Sequence, residues 1–186
     1  YNTAIGYASL GANTEGTQNT AVGGFSLQAL TTGSNNVAVG YNAGYGTTTG
    51  GLNTIVGRSA FATNTTGANN VAMGYAALNL ATTASNNVAI GTSAMQNTTT
   101  GATNLAVGGQ ALLDNTTGTL NVALGHNSLA NNTTANNNTA VGYNSLGANT
   151  TGAQNVALGA YALDANTTAN ANVAIGYASL GANTTG

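Results

Sequence analysis

The chain has no cysteine, no proline and no tryptophan, and very little charge. Only 2% of its 186 residues are charged, against about 25% in an ordinary soluble domain. The lack of cysteine leaves the redox compartment open and fits an exposed fibre that must not cross-link. The single cation, Arg58, and a formal net charge of −2 argue against a nucleic-acid partner, because neutralising phosphate needs Lys and Arg. No apolar run approaches the ~20 residues of a membrane helix, so membrane insertion of this segment is not expected. Disorder is a poor account too: disordered chains are usually charge-rich and have no apolar residues at a fixed phase.

What the chain does have is a repeat. Asn2, Asn19, Asn36, Asn53, Asn70, Asn87, Asn104, Asn121, Asn138, Asn155 and Asn172 are each 17 residues apart, with no insertion or deletion. With Asn as position 1, position 5 is always Gly, position 13 is always Thr, and position 14 is Thr except for Glu15. Position 3 is Ala except for Ile55, and position 4 is always Val, Ile, Leu or Met. Position 9 is Leu, Met or Phe except for Gly44. A fixed period outranks local secondary-structure signals and indicates stacked units. Residues 1–186 therefore read as one repeat array of eleven coils. They are expected to be a window from a longer fibre protein, with any targeting signal outside it.

Within the unit, positions 2–4 form a short β-type run, as in Val173-Ala174-Ile175, and the Gly at position 5 ends it at a tight corner. Positions 6–9 are expected to form a second short strand, and positions 10–17 are turn formers. A helix is excluded by recurrent Gly, adjacent Thr and the lack of a 3.6-residue period. The expected fold is all-β: a parallel β-solenoid, flattened into a roll, about 50 Å long if coils stack at ~4.8 Å. Stacking also explains the low charge. A charged column would repeat like charges at that spacing, whereas Asn ladders and Thr pairs bond up the stack.

In the strand, position 3 faces one way and positions 2 and 4 the other. All three are mostly apolar, so both faces call for burial. One face can fill the coil interior. The other needs a cover that the unit itself does not supply, and sister chains around a common axis are the simplest one.

The core Gly152-Ala153-Gln154-Asn155-Val156-Ala157-Leu158-Gly159, followed by Ala162, resembles the head repeats of YadA-like trimeric autotransporter adhesins. The NVAIG at 87–91 and at 172–176 carries the resemblance most closely. The unit here is longer than the adhesin unit, and the extra residues fall in the Asn-Thr-Thr-Gly turn. That longer form also resembles repeats in phage and viral tail-fibre proteins. The resemblance implies a left-handed roll, a homotrimer and an extracellular, cell-surface or virion-surface fibre that serves in cell adhesion or as a tail-fibre shaft.

Several residues are candidates for more than architecture. Tyr7, Tyr41 and Tyr75 are spaced by 34 residues, as are Tyr143 and Tyr177. They place an aromatic on every second coil, suited to a host surface or a glycan receptor. Otherwise they pack over small position-6 neighbours. Asn64, Asn97, Asn115, Asn132, Asn149, Asn166 and Asn183 each begin an Asn-Thr-Thr acceptor sequence for N-glycosylation, or else serve as turn residues. The position-1 Asn residues are expected to form a buried structural ladder. Adjacent Thr columns at positions 13 and 14 raise an ice-binding alternative, and the tyrosines a carbohydrate-binding module.

Arg58 and His126 occupy position 6 and are expected to be exposed; Asp114, Asp164 and Glu15 fall in turns. No two of these five share a coil. They suggest no metal ligands, no cofactor and no catalytic pair, so the segment is not expected to be an enzyme.

Overall fold

The computed structural model describes residues 1–185. The chain is a parallel β-solenoid. Eleven three-residue strands, from β1 (Thr3–Ile5) to β11 (Val173–Ile175), occupy positions 2–4 of successive coils. They form one parallel sheet in strict sequence order. Its register is exact from coil to coil: Ala4 lies opposite Ala21, and Ala157 opposite Ala174. Each Ala at position 3 points inward, and from Ala21 to Ala174 these side chains are buried.

The backbone of each coil bonds to its neighbours well beyond the strand. The Thr20 amide donates to the Asn36 carbonyl of the next coil at 2.8 Å, and the Gly23 amide to Ile5 of the previous one at 2.7 Å. Across the coil, Leu27 N–H reaches Ala43 at 3.0 Å and Phe25 N–H reaches Tyr7 at 2.8 Å. Donors and acceptors removed from water are thus paired with equivalent groups up and down the stack.

Positions 6–9 are not the second strand that the apolar pattern suggests. They form overlapping turns. Ser26 N–H bonds back to Gly23 at 3.3 Å, and Leu30 N–H to Leu27 at 3.2 Å. Position 7 has positive φ in every coil, as in Phe25 (59°) and Tyr161 (59°). Position 9 does too, as in Leu27 (48°) and Leu163 (52°). In the turn spanning positions 5–8, the positive φ falls on the third residue, as in a type II turn.

A left-handed leucine is locally disfavoured by about 1–2 kcal/mol. Burying its side chain returns about 1.5–3 kcal/mol, and from Leu27 to Leu163 every position-9 leucine is fully buried. Burial wins, and the periodicity of apolar residues gave no sign that it would do so in a turn.

The corner at position 5 needs glycine twice over. Gly108 has φ 134°, and a Cβ on it would lie 2.6 Å from the Gly125 carbonyl carbon and oxygen of the next coil. No side chain fits between successive corners.

The interior is thin. Small Ala from the strand wall meets Leu from the turn wall, and Ser at position 8 braces the gap. Ser26 Oγ donates to the Ala38 carbonyl at 3.1 Å, and Ser128 Oγ to Ala140 at 2.9 Å. Two departures from this pattern compensate each other. Ile55 replaces the usual Ala in one coil, and Gly44 replaces the usual Leu in the coil before. A Cβ on Gly44 would lie 2.8 Å from Ile55 Cδ1 and 2.8 Å from Leu27 Cδ2. Ile55 therefore fills from the strand side the volume that Gly44 leaves empty on the turn side.

Candidate functional site

The position-1 asparagines form a continuous ladder inside the stack. Asn104 is typical. Its amide N–H donates to Asn87 Oδ1 at 2.9 Å, and its Nδ2 donates to the Gly118 carbonyl at 2.9 Å and to Asn87 Oδ1 at 3.2 Å. Its own Oδ1 accepts from Asn121 N–H at 3.0 Å. From Asn19 to Asn155 every member is buried, and Asn2 and Asn172 lie at the ends of the array. The same bond from Nδ2 to a backbone carbonyl recurs at Asn36, Asn53, Asn70, Asn138 and Asn155. Each coil is thereby locked in register with the next by polar groups that carry no net charge.

The Asn-Thr-Thr segments supply a second ladder. Asn64, Asn115, Asn132, Asn149 and Asn166 stand at position 12 with fully buried side chains. Asn132 Nδ2 donates to Asn115 Oδ1 at 3.0 Å, Asn149 to Asn132 at 3.0 Å, and Asn166 to Asn149 at 2.9 Å. Asn64 closes its own turn, its Oδ1 accepting from Gly67 N–H at 2.9 Å. A glycan on any of these five nitrogens would displace the ladder, so the folded coil has no room for one. Asn183 stands at the same position, half-buried, with Nδ2 3.4 Å from Asn166 Oδ1. Asn97 is one residue out of phase, at position 11, and donates to Asp114 Oδ1 at 2.8 Å. The sequence carried a clue to this second ladder, because six of the seven acceptor sites share one phase.

The two Thr columns differ. Position-13 hydroxyls donate to the position-13 carbonyl of the next coil, as Thr116 does to Thr133 at 3.0 Å and Thr150 to Thr167 at 3.1 Å. Position 14 faces solvent from Thr32 to Thr168. A single free column remains where the ice-binding alternative calls for ranks of hydroxyls.

All five position-6 tyrosines are exposed, from 48% for Tyr143 to 78% for Tyr177. Two of the gaps between them are filled by aromatics that the spacing argument missed. Phe25, at position 7 of the intervening coil, packs edge-on against Tyr7 at 5.2 Å and Tyr41 at 5.8 Å. Tyr161 does the same between Tyr143 (5.3 Å) and Tyr177 (5.9 Å). His126 stacks on Tyr143 at 5.8 Å, and the Arg58 guanidinium lies 5.8 Å from the Tyr75 ring centre. The two position-6 departures thus continue the aromatic rib, and both are exposed. Desolvation raises the Tyr161 phenol above its usual value, and Tyr143, Tyr177 and Asp164 add to the shift.

Beside this rib, an open trough of about 370 Å³ runs across coils seven to ten, with Gln110, Asn127, Asn144 and Asp164 along it. A smaller cleft of about 220 Å³ lies at Phe25, Tyr41, Asn42 and Tyr45. Among the described residues no cluster of His, Asp and Glu suits a metal ion, and no helix is long and apolar enough to cross a membrane.

The opposite wall has another character. Positions 2 and 4 of the strands point outward and leave an apolar stripe along the stack. Val37 is 41% exposed, Val39 38% and Leu158 46%, with Met73, Ile90, Val107 and Val156 in the same row. No protein-family model, no curated protein and no solved structure matches the chain.

Proposed function

We propose that this array is a stiff structural and adhesive segment of an extracellular fibre, on a cell surface or a virion. In this reading the strand wall packs against sister copies in a homotrimer, and the turn wall faces outward for attachment. The observation that carries it is the apolar stripe at positions 2 and 4, which runs the length of the sheet with nothing among the described residues to cover it. Contiguous apolar surface of this kind marks an interaction face. The resemblance of the Asn-Val-Ala-Ile-Gly core to trimeric adhesin head repeats supports three copies. Resemblance of the longer turn to phage and viral fibre repeats supports a tail-fibre shaft as the other setting for the same rod. Stiffness follows from the two Asn ladders and from strands bonded only to their sequence neighbours.

The test is the mass of the particle in solution. Sedimentation equilibrium should give three copies for the native array, and Leu124→Asp with Leu158→Asp should give monomer or insoluble protein. A native array that stays monomeric at micromolar concentration, with its stripe in water, would overturn the reading.

A further inference from the structure

The trough on the turn wall is a different surface from the stripe. Its lining mixes polar side chains with Leu113, Ala130 and Ala148. Gln110, Asn127 and Asn144 occupy position 7 of three successive coils and present one amide per coil. Such amides stand ~4.8 Å apart up the stack, a spacing on the order of one pyranose ring. Each amide offers both a donor and an acceptor, the pairing that vicinal sugar hydroxyls require. The space is made by glycine. A Cβ on Gly147 would lie 2.6 Å from Asn144 Oδ1, and one on Gly181 3.1 Å from Asp164 Oδ1. Both polar groups therefore lie across bare backbone.

Asp164 is the one charged residue lining the trough, and it also acts on the phenol of Tyr161. Tyr161 continues the position-7 column one coil beyond Asn144, and its ring packs against Tyr143 at 5.3 Å, so the amide row runs up to the rings. A ring face beside hydroxyl-binding amides suits a sugar, whose faces are apolar and whose rim is polar. With a carboxylate and no cation in the trough, the fitting sugar is uncharged; a sulfated or sialylated chain would meet repulsion.

We propose that this trough binds a neutral oligosaccharide lying along the stack across coils seven to ten. The site deepens the adhesive reading by naming what the outward wall holds. The two fail separately: copy number decides the fibre, and sugar binding decides the site.

The test uses saturation-transfer NMR and calorimetry on the native array with cello-, chito-, manno- and maltohexaose, alongside a sulfated hexasaccharide. The triple variant Asn127→Ala, Asn144→Ala, Asp164→Ala is conservative for the fold, because Ala8 and Ala76 already occupy position 7, and Ala62 and Ala130 position 10. Gly147→Gln fills the trough with a residue that Gln28 and Gln96 already place at position 10. Transfer to at least one neutral hexasaccharide is expected, weakened roughly tenfold or more in the triple variant, lost in Gly147→Gln and unchanged in Thr151→Ala. The proposal is overturned by no transfer to any neutral probe at millimolar sugar, by preference for the sulfated probe, or by equal binding in the variants.

Discussion

The two walls of the coil solve the same problem by different means. The strand wall has ordinary extended backbone, points Ala inward, and presents Val, Ile, Leu and Met outward. The turn wall has left-handed residues at positions 7 and 9, points Leu inward, and presents Tyr, Asn and Asp outward. Both walls bond coil to coil through the backbone. The difference teaches that stacking, not strand conformation, is what the period enforces. Any conformation that repeats with its amides and carbonyls along the stack will serve, provided its inward side chain fits the space left by the other wall.

The sharpest way to break both walls at once is at the corner that joins them. Gly108→Ala places a methyl against the Gly125 carbonyl and strains a glycine φ, so a loss of at least about 4 kcal/mol is expected by urea denaturation, the exceptional end of the range. Next comes the ladder behind the strands. Asn104→Ala strands the buried Asn121 amide and takes one of two donors from the Gly118 carbonyl, which keeps Asn115 Nδ2, at ~1–3 kcal/mol for the stranded amide; thermal melts should show a fall of several degrees.

The fit between walls is tested by Ile55→Ala, expected to cost about 2–5 kcal/mol through the cavity it opens. Gly44→Leu alone should also destabilise, by overpacking against Ile55. The double variant should recover most of both losses, giving a large favourable coupling in a double-mutant cycle; additive losses would mean the two residues do not share one space. The smallest effect separates the Thr columns. Thr150→Ala should cost ~0.5–1.5 kcal/mol with its hydrogen bond, and the exposed Thr151→Ala should stay within ~0.5 kcal/mol.

Much of this was legible in the residues. The Asn period marks the coil length, Ala at position 3 marks the inward side of the strand, and Gly at position 5 marks the corner. The second wall was not legible as built. Tyr177-Ala178-Ser179-Leu180 reads as a strand because it is apolar and follows a glycine, yet Ala178 and Leu180 both have φ of 51°. Nothing in Leu announces a left-handed conformation. The aromatic rib was half legible: the tyrosines at position 6 recur by 34, but Phe25 and Tyr161 sit one position later and join the row only through the turn. The Asn-Thr-Thr segments fit a glycan acceptor as readily as a buried ladder, because the linear motif does not state which way Asn points.

By itself the sequence determined the period, the strand at positions 2–4 and the parallel, in-register stacking, because identical residues at a fixed interval gain most when they lie over one another. Only the tertiary structure decided which residues face inward on the second wall, that Ile55 answers Gly44, and that the trough and the apolar stripe lie on opposite sides. Those choices depend on side-chain volume and on left-handed backbone sustained by burial, and both arise only when two walls meet across an interior about one leucine deep.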